Sequence, residues 1–124
     1  MIVVDSSGWI EFLQGTSRAK FFKPALERMD EVLVPSISLF EVHRLIDGKE
    51  SEEVADGAIF IMRTAHVVDL SGTLAVEASK QARSYKLALA DAIIYATARS
   101  QNAELWTQDA HFKDLPHVKY FPKP

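Results

Sequence analysis

No cysteine occurs in the 124-residue chain. That excludes a disulfide scaffold, a thiol nucleophile and a cysteine-type zinc site, and it fits a reducing compartment. Glycine and proline are scarce, at five each, so no collagen-like or low-complexity segment is present. No apolar run approaches the roughly 18–20 residues of a transmembrane helix. The start, Met1-Ile2-Val3-Val4-Asp5, has neither the basic residues nor the apolar length of a secretion signal. These absences point to a cytoplasmic protein without a membrane partner. Hydrophobic residues at 48% and charged residues at 25% place it among folded globular chains, and the length suits a single domain spanning residues 1–124.

Familiar catalytic signatures are missing too. There is no Gly-x-Gly-x-x-Gly, no phosphate-loop Gly-Lys-Ser/Thr, no Gly-x-Ser-x-Gly and no His-Glu-x-x-His. A haloacid-dehalogenase-like phosphatase needs a second Asp two residues after the first, and position 7 is Ser. A receiver-like phosphoacceptor wants a lysine after a late strand near the acids, and none stands there.

What is present centres on Leu87 to Ala98, an almost wholly apolar stretch that reads as a helix buried on most sides. Its one charge is Asp91. An ionised carboxylate there is costly unless paired, hydrogen-bonded or bound to a metal. The plainer alternative is a helix-start acid, stabilised by free amides and the helix dipole.

Ile2-Val3-Val4 reads as a buried strand, followed by Asp5 and a helix through Trp9, Ile10, Phe12 and Leu13, with Gly15 as its C-cap. Asp5 or Ser6 can cap that helix, so one is spare. Residues Ser17 to Met29 have helical spacing interrupted by Pro24, predicting a kink or two short helices. Arg18, Lys20, Lys23 and Arg28 read as its solvated face. Val32-Leu33-Val34-Pro35 is a second strand. Ser36 or Ser38 then caps a helix that carries Glu41 near its start and His43 as a surface or partly packed histidine.

Gly48-Lys49-Glu50 reads as a loop, and Ser51 caps a helix from Val54 to about Thr64. His66 to Leu70 is a third strand. Ser71 opens a helix from Thr73 to Tyr85 with Leu74, Ala75, Ala78 and Ala82 inward. The Asp91 helix runs to about Gln101, with Asn102 left-handed at its end. Ala103 to Thr107 is a strand, Asp109 leads a short turn from Ala110 to Asp114, and His117 to Phe121 is the last strand. Alternating strands and helices predict an α/β fold on a parallel sheet. Trp9, Phe21, Phe22 and the alanine face around Ala75 and Ala78 offer more apolar surface than so short a chain easily buries, which predicts a symmetric dimer.

Asp5, Glu41 and Asp109 stand at strand-to-helix transitions, and Asp91 belongs to the buried helix. For Asp5 and Glu41 a helix-start acid is the plainer reading. Strand ends share one edge of a parallel sheet, so the four side chains can converge. Four close carboxylates repel unless cations neutralise them, and hard oxygen donors favour Mg²⁺ or Mn²⁺ over zinc. Such clusters suit phosphodiester cleavage by metal-activated water, without a protein nucleophile. The formal charge is −3, from fourteen basic and seventeen acidic residues. Setting four acids aside leaves thirteen against fourteen, which permits a nucleic-acid substrate without demanding one.

The chain resembles the PIN domain family, in particular the small VapC-type toxins of toxin–antitoxin pairs. The resemblance rests on Val4-Asp5-Ser6-Ser7, Ser38-Leu39-Phe40-Glu41-Val42, Asp91-Ala92-Ile93-Ile94-Tyr95-Ala96-Thr97-Ala98 and Leu105-Trp106-Thr107-Gln108-Asp109-Ala110-His111-Phe112. Together these span nearly the whole chain in the family's order and spacing. The resemblance implies a PIN-like three-layer α/β fold with about five parallel strands flanked by helices. It also implies an endoribonuclease dependent on Mg²⁺ or Mn²⁺. Asp5, Glu41, Asp91 and Asp109 match the acidic metal-binding quartet, Thr107 matches a hydroxyl residue beside the metal, and Ser6 stands where it can help hold water or ligands. The implied partners are an RNA substrate, a VapB-type antitoxin and a second copy in a homodimer. A different reading is a PIN-like metal-binding module that acts mainly through protein–protein interaction.

Overall fold

The computed structural model describes residues 1–124. Strands β1 (Ile2–Val4), β2 (Val32–Pro35), β3 (His66–Val68), β4 (Glu104–Thr107) and β5 (Val118–Tyr120) form one five-stranded sheet in the order β3-β2-β1-β4-β5. Every pairing is parallel, with Ile2 beside Val32 on one side and Glu104 on the other. The helices are α1 (Ser6–Leu13), α2 (Ala19–Leu26), α3 (Ser36–Lys49), α4 (Glu52–Met62), α5 (Gly72–Tyr85) and α6 (Leu89–Ser100).

Successive strand residues point to opposite faces, and each face has its own core. Ile2, Val4, Val32, Val34 and Trp106 pack with Trp9, Phe22, Val42, Ile46 and Met62 from α1 to α4. Val3, Leu33 and Leu105 pack with Leu74, Ala78 and the Ile93–Tyr95 stretch of α5 and α6. The result is a three-layer α/β sandwich. Burial on both faces explains why the inner strands are continuous apolar runs rather than alternating ones.

After β3 the chain returns to the other side of β1, so the sheet changes direction between β1 and β4. The carboxyl ends of those neighbours are the crevice in which open α/β sheets place ligands. Asp5 follows one end, with its amide donating to Trp106 O at 3.0 Å. Asp109 follows the other. Close packing here depends on Gly8, where a Cβ would lie 2.7 Å from Phe22 Cδ1 and 2.8 Å from Val4 Cγ1.

Several local expectations are corrected. Of the two outcomes expected at Pro24, a division into two helices does not occur, since Pro24 sits inside one eight-residue helix; Phe22, Ala25 and Leu26 are buried on its inner face, and their packing outweighs the lost amide. Neither Ser36 nor Ser38 caps α3, which follows Pro35 directly; Ser36 Oγ accepts from the Leu70 amide at 3.3 Å instead. Gly48 and Lys49 are helical, because α3 runs on to Lys49. Ala75 faces solvent. Trp9, Phe22 and Ala78 are core residues, so they supply no dimer surface. The large exposed apolar side chains are elsewhere and include Phe40, Phe60, Val76 and Leu89. No helix is long and apolar enough to cross a membrane.

Candidate metal centre

Asp5 is both the N-cap of α1 and the most buried acid of the crevice, at 5% exposure. Oδ1 accepts from the Ser6 amide at 2.8 Å. Oδ2 accepts from the Thr107 hydroxyl at 2.9 Å and from the Ser7 hydroxyl at 3.2 Å. Capping and site geometry are therefore compatible in one side chain. Burial pushes the Asp5 carboxyl up to about 6, the Asp91 and Asp109 charges push the same way, and the Thr107 and Ser6 hydrogen bonds oppose them.

Thr107 ends β4 with no exposure. While donating to Asp5 it accepts from the Asp109 amide at 2.9 Å. Asp109 then caps the short 3₁₀ turn Ala110–Phe112, its Oδ1 accepting from the His111 amide at 2.9 Å. Buried Phe112 anchors that turn.

Glu41 lies in the second turn of α3, farther from the strand end than a helix-start acid. Its length covers the gap: Oε1 accepts from the Ser6 hydroxyl at 2.7 Å, beside Asp5. Asp91 stands in the first turn of α6, and the buried run begins after it at Ala92. Its side chain is 20% exposed, so it is not the interior charge that the Leu87–Ala98 stretch suggests. The difference is where α6 begins, since Lys86 turns left-handed at φ 56° and Leu87 and Ala88 precede the helix. Burial first and the Asp109 charge next raise the Asp91 carboxyl, Glu41 adds to them, and His111 opposes.

Asp91 senses the charges of Asp109 and Glu41, and Asp5 those of Asp91 and Asp109. The four acids thus share one region at the switch point, though only Asp91 and Asp109 come close enough to share a ligand. Asp91, Asp109 and His111 can each place a donor atom within 4.8 Å of the others. Asp5 and Glu41 join through Thr107, Ser6 and the shared field. His43, whose Nε2 lies 2.8 Å from Asp56 Oδ1 on the surface, takes no part.

Sequence reasoning missed His111, Ser7 and a supporting network. Gln108, 4% exposed between Thr107 and Asp109, donates to Glu11 Oε2 at 3.1 Å and accepts from Arg18 Nε. Arg18 Nη2 also reaches the carbonyls of Phe121 at 2.9 Å and Pro122 at 3.3 Å. Arg18, which reads as a solvated basic residue, instead ties the Thr107–Asp109 turn to the C-terminal segment. Only a long-range partner reveals that, and no local spacing encodes it.

Two clefts flank the acids. One of about 760 Å³ has Ser6, Ser7, Glu41, Phe40 and Leu89 in its wall. The other, about 490 Å³, has Ser7, Asp109, Tyr120 and Lys123 in its wall.

A PIN domain family model matches residues 2–118. The chain belongs to the PIN domain family. Among solved structures, a toxin–antitoxin complex from Klebsiella pneumoniae is similar at 26% identity, with TM-score 0.79 over 96% of each chain. The sarcin–ricin-loop-cleaving toxin VapC20 of Mycobacterium tuberculosis shares the fold at 20% identity and TM-score 0.81, over 98% of this chain and 100% of that one. DNA-bound VapBC from Salmonella typhimurium does so at 15% and 0.75, over 98% and 96%. No curated protein sequence matches the chain.

Proposed function

We propose that this PIN domain is a divalent-metal-dependent endoribonuclease and the toxin of a toxin–antitoxin pair. Asp5, Glu41, Asp91 and Asp109 would hold Mg²⁺ or Mn²⁺. The observation that carries the reading is the hydrogen-bonded framework that gathers the acids at the switch point: Asp5 is fixed by the Ser6 amide and the Thr107 and Ser7 hydroxyls, Glu41 is tied to it through the Ser6 hydroxyl and Asp109 through Thr107. Such a cluster opposes folding until positive charge compensates it. Carboxylate oxygens without thiols are the donor chemistry of a hard divalent ion. Bound there, the ion supplies charge neutralisation and an activated water for phosphodiester hydrolysis.

The chain's own residues set the geometry. The Ser6 amide fixes one Asp5 oxygen, and Thr107 and Ser7 fix the other. The Ser6 hydroxyl orients Glu41. Ser7 borders both clefts, so a strand passing between them crosses the acids. Arg44 and Lys49 in the larger cleft and Lys123 in the smaller offer phosphate contacts, and Phe40 and Tyr120 offer surfaces for bases.

The antitoxin reading is supported by the toxin–antitoxin complex at 26% identity and by the larger cleft. Ile10, Ile37, Phe40, Leu45 and Leu89 make that cleft apolar beside Glu41, which suits an amphipathic helix carrying an Arg or Lys toward the acids. Pairing of two copies would draw on exposed apolar residues such as Phe60 and Val76. The same cleft also favours a second reading, a binding module with little nuclease activity. RNA cleavage with Mg²⁺, with EDTA and by Asp5→Asn separates the two. Cleavage that survives EDTA ends the metal-nuclease reading, and a parent that never cleaves but binds its partner supports the module.

A further inference from the structure

We infer that His111 contributes an imidazole nitrogen to the metal centre and shifts its preference from Mg²⁺ toward Mn²⁺. The inference rests on the metal-centre reading above, yet concerns a residue outside the acidic quartet. His111 Nδ1 lies 3.1 Å from Asp109 Oδ1 and 3.5 Å from Asp91 Oδ2. Neighbouring donors around an octahedral ion, with bonds of roughly 2.1–2.2 Å, stand about 3 Å apart. The imidazole nitrogen therefore stands at about an adjacent ligand's separation from each carboxylate, and donor atoms of all three side chains lie within 4.8 Å of one another.

The placement is built rather than incidental. Asp109 Oδ1 holds the His111 amide at 2.9 Å, so one turn fixes both donors. Phe112, with no exposure, pins the turn from beneath by stacking on Tyr95 with ring centroids 6.4 Å apart. The His111 side chain is 74% exposed, so it adds nothing to the core, and the partners of its ring are these two carboxylates. An imidazole nitrogen suits first-row transition ions, whereas Mg²⁺ keeps to oxygen and water.

A counter-charge role predicts the opposite sign. A cationic side chain parked on Asp91 and Asp109 competes with a metal, so its removal tightens binding. A ligand's removal weakens binding, and weakens it more for the ion that accepts nitrogen.

The test uses the full chain without a partner protein and the metals alone. Titration calorimetry measures Mn²⁺ and Mg²⁺ affinity for the parent, His111→Ala, His111→Gln and Asp91→Asn. Pulsed electron paramagnetic resonance of the Mn²⁺ complex reports nitrogen coupling. The expected result is coupling in the parent that disappears in His111→Ala. Mn²⁺ affinity should fall about tenfold and Mg²⁺ affinity less than about threefold. Tighter or unchanged Mn²⁺ binding in His111→Ala, or a parent without nitrogen coupling, overturns the inference. A parent that cleaves RNA without nitrogen coupling defeats this inference alone. One that shows coupling but cleaves no RNA defeats the nuclease reading and leaves the ligand in place.

Discussion

The Thr107 hydroxyl donates to Asp5 Oδ2 at 2.9 Å and accepts from the Asp109 amide at the same distance. One buried oxygen thereby couples the carboxyl ends of two adjacent strands. Thr107→Val keeps the shape and removes both bonds. A buried carboxylate loses a donor and an amide is orphaned, so about 1–3 kcal/mol of stability should go. Asp5 should titrate still higher, because the hydroxyl is the stronger of the two hydrogen-bond donors that lower it. Metal affinity should fall about 10–100-fold, the usual cost of losing a group that orients a ligand. Thr107→Ser should recover most of both. Calorimetric Mg²⁺ titration decides: Thr107→Val with parental affinity would mean that the hydroxyl only closes the turn.

The pH dependence of the metal-free protein follows from Asp5. Its carboxyl titrates near 6 in the native state against an ordinary 3.8. Between those values the native state binds more protons than the unfolded chain, so stability declines as pH rises through the window. The full effect is about 3 kcal/mol, and the raised Asp91 acts in the same direction. Urea unfolding in EDTA at pH 4.5 and pH 7.5 should show the parent losing more stability than Asp5→Asn over that interval. Parallel losses in both proteins would rule out the raised carboxyl.

Much of this was legible in the chain because local chemistry writes it. Ser51 and Ser71 cap their helices by accepting from Val54 and Leu74. Asn102 turns left-handed where the Asp91 helix ends. Asp5, Asp91 and Asp109 could be singled out because each charge interrupts an apolar or turn context. Helix starts were harder. Pro35 and Ala88 precede α3 and α6 without a side-chain cap, so Glu41 and Asp91 were each displaced by part of a turn. The assignment of Trp9 and Phe22 to an outer face failed for another reason. Composition gives the amount of apolar surface, but only the sheet's second face, with its own core, shows how much of it is absorbed. Gly8 gave no signal at all, since its need for a bare Cα comes from Phe22 and Val4.

Asp91 offers a test of site against helix start. If it served only the α6 dipole, Asp91→Asn would cost a few tenths to 1 kcal/mol in any buffer. Facing Asp109 and Glu41, it should instead be relieved of repulsion when neutralised. Asp91→Asn should melt higher than the parent in EDTA and respond less to metal. Mg²⁺ at about a hundred times its dissociation constant stabilises a one-site parent by roughly 2.7 kcal/mol. Equal Mg²⁺ shifts in both proteins would return Asp91 to an ordinary helix-start acid.

Arg18 should matter to the site without touching it. Its guanidinium, with the side chain 17% exposed, joins Gln108, the Phe121 and Pro122 carbonyls, and Glu11 at 3.7 Å. Gln108 lies between Thr107 and Asp109, so a loosened Gln108 lets both site residues drift. Arg18→Met keeps an aliphatic side chain and deletes the fork, along with the guanidinium's place over Phe21, whose ring centroid is 4.9 Å from the guanidinium carbon. The lost charged hydrogen bonds should cost about 1.5–3 kcal/mol. A purely structural residue would stop there. A residue that positions the turn should also raise the Mg²⁺ concentration for half-maximal binding several-fold at temperatures well below the melt, with turnover falling alongside. Arg18→Lys keeps the charge but cannot reach several acceptors at once, so it should fall between parent and Arg18→Met in metal affinity. If Arg18→Met lowers the melting temperature yet binds Mg²⁺ like the parent, the network supports the fold alone, and the Thr107–Asp109 turn holds its shape without it.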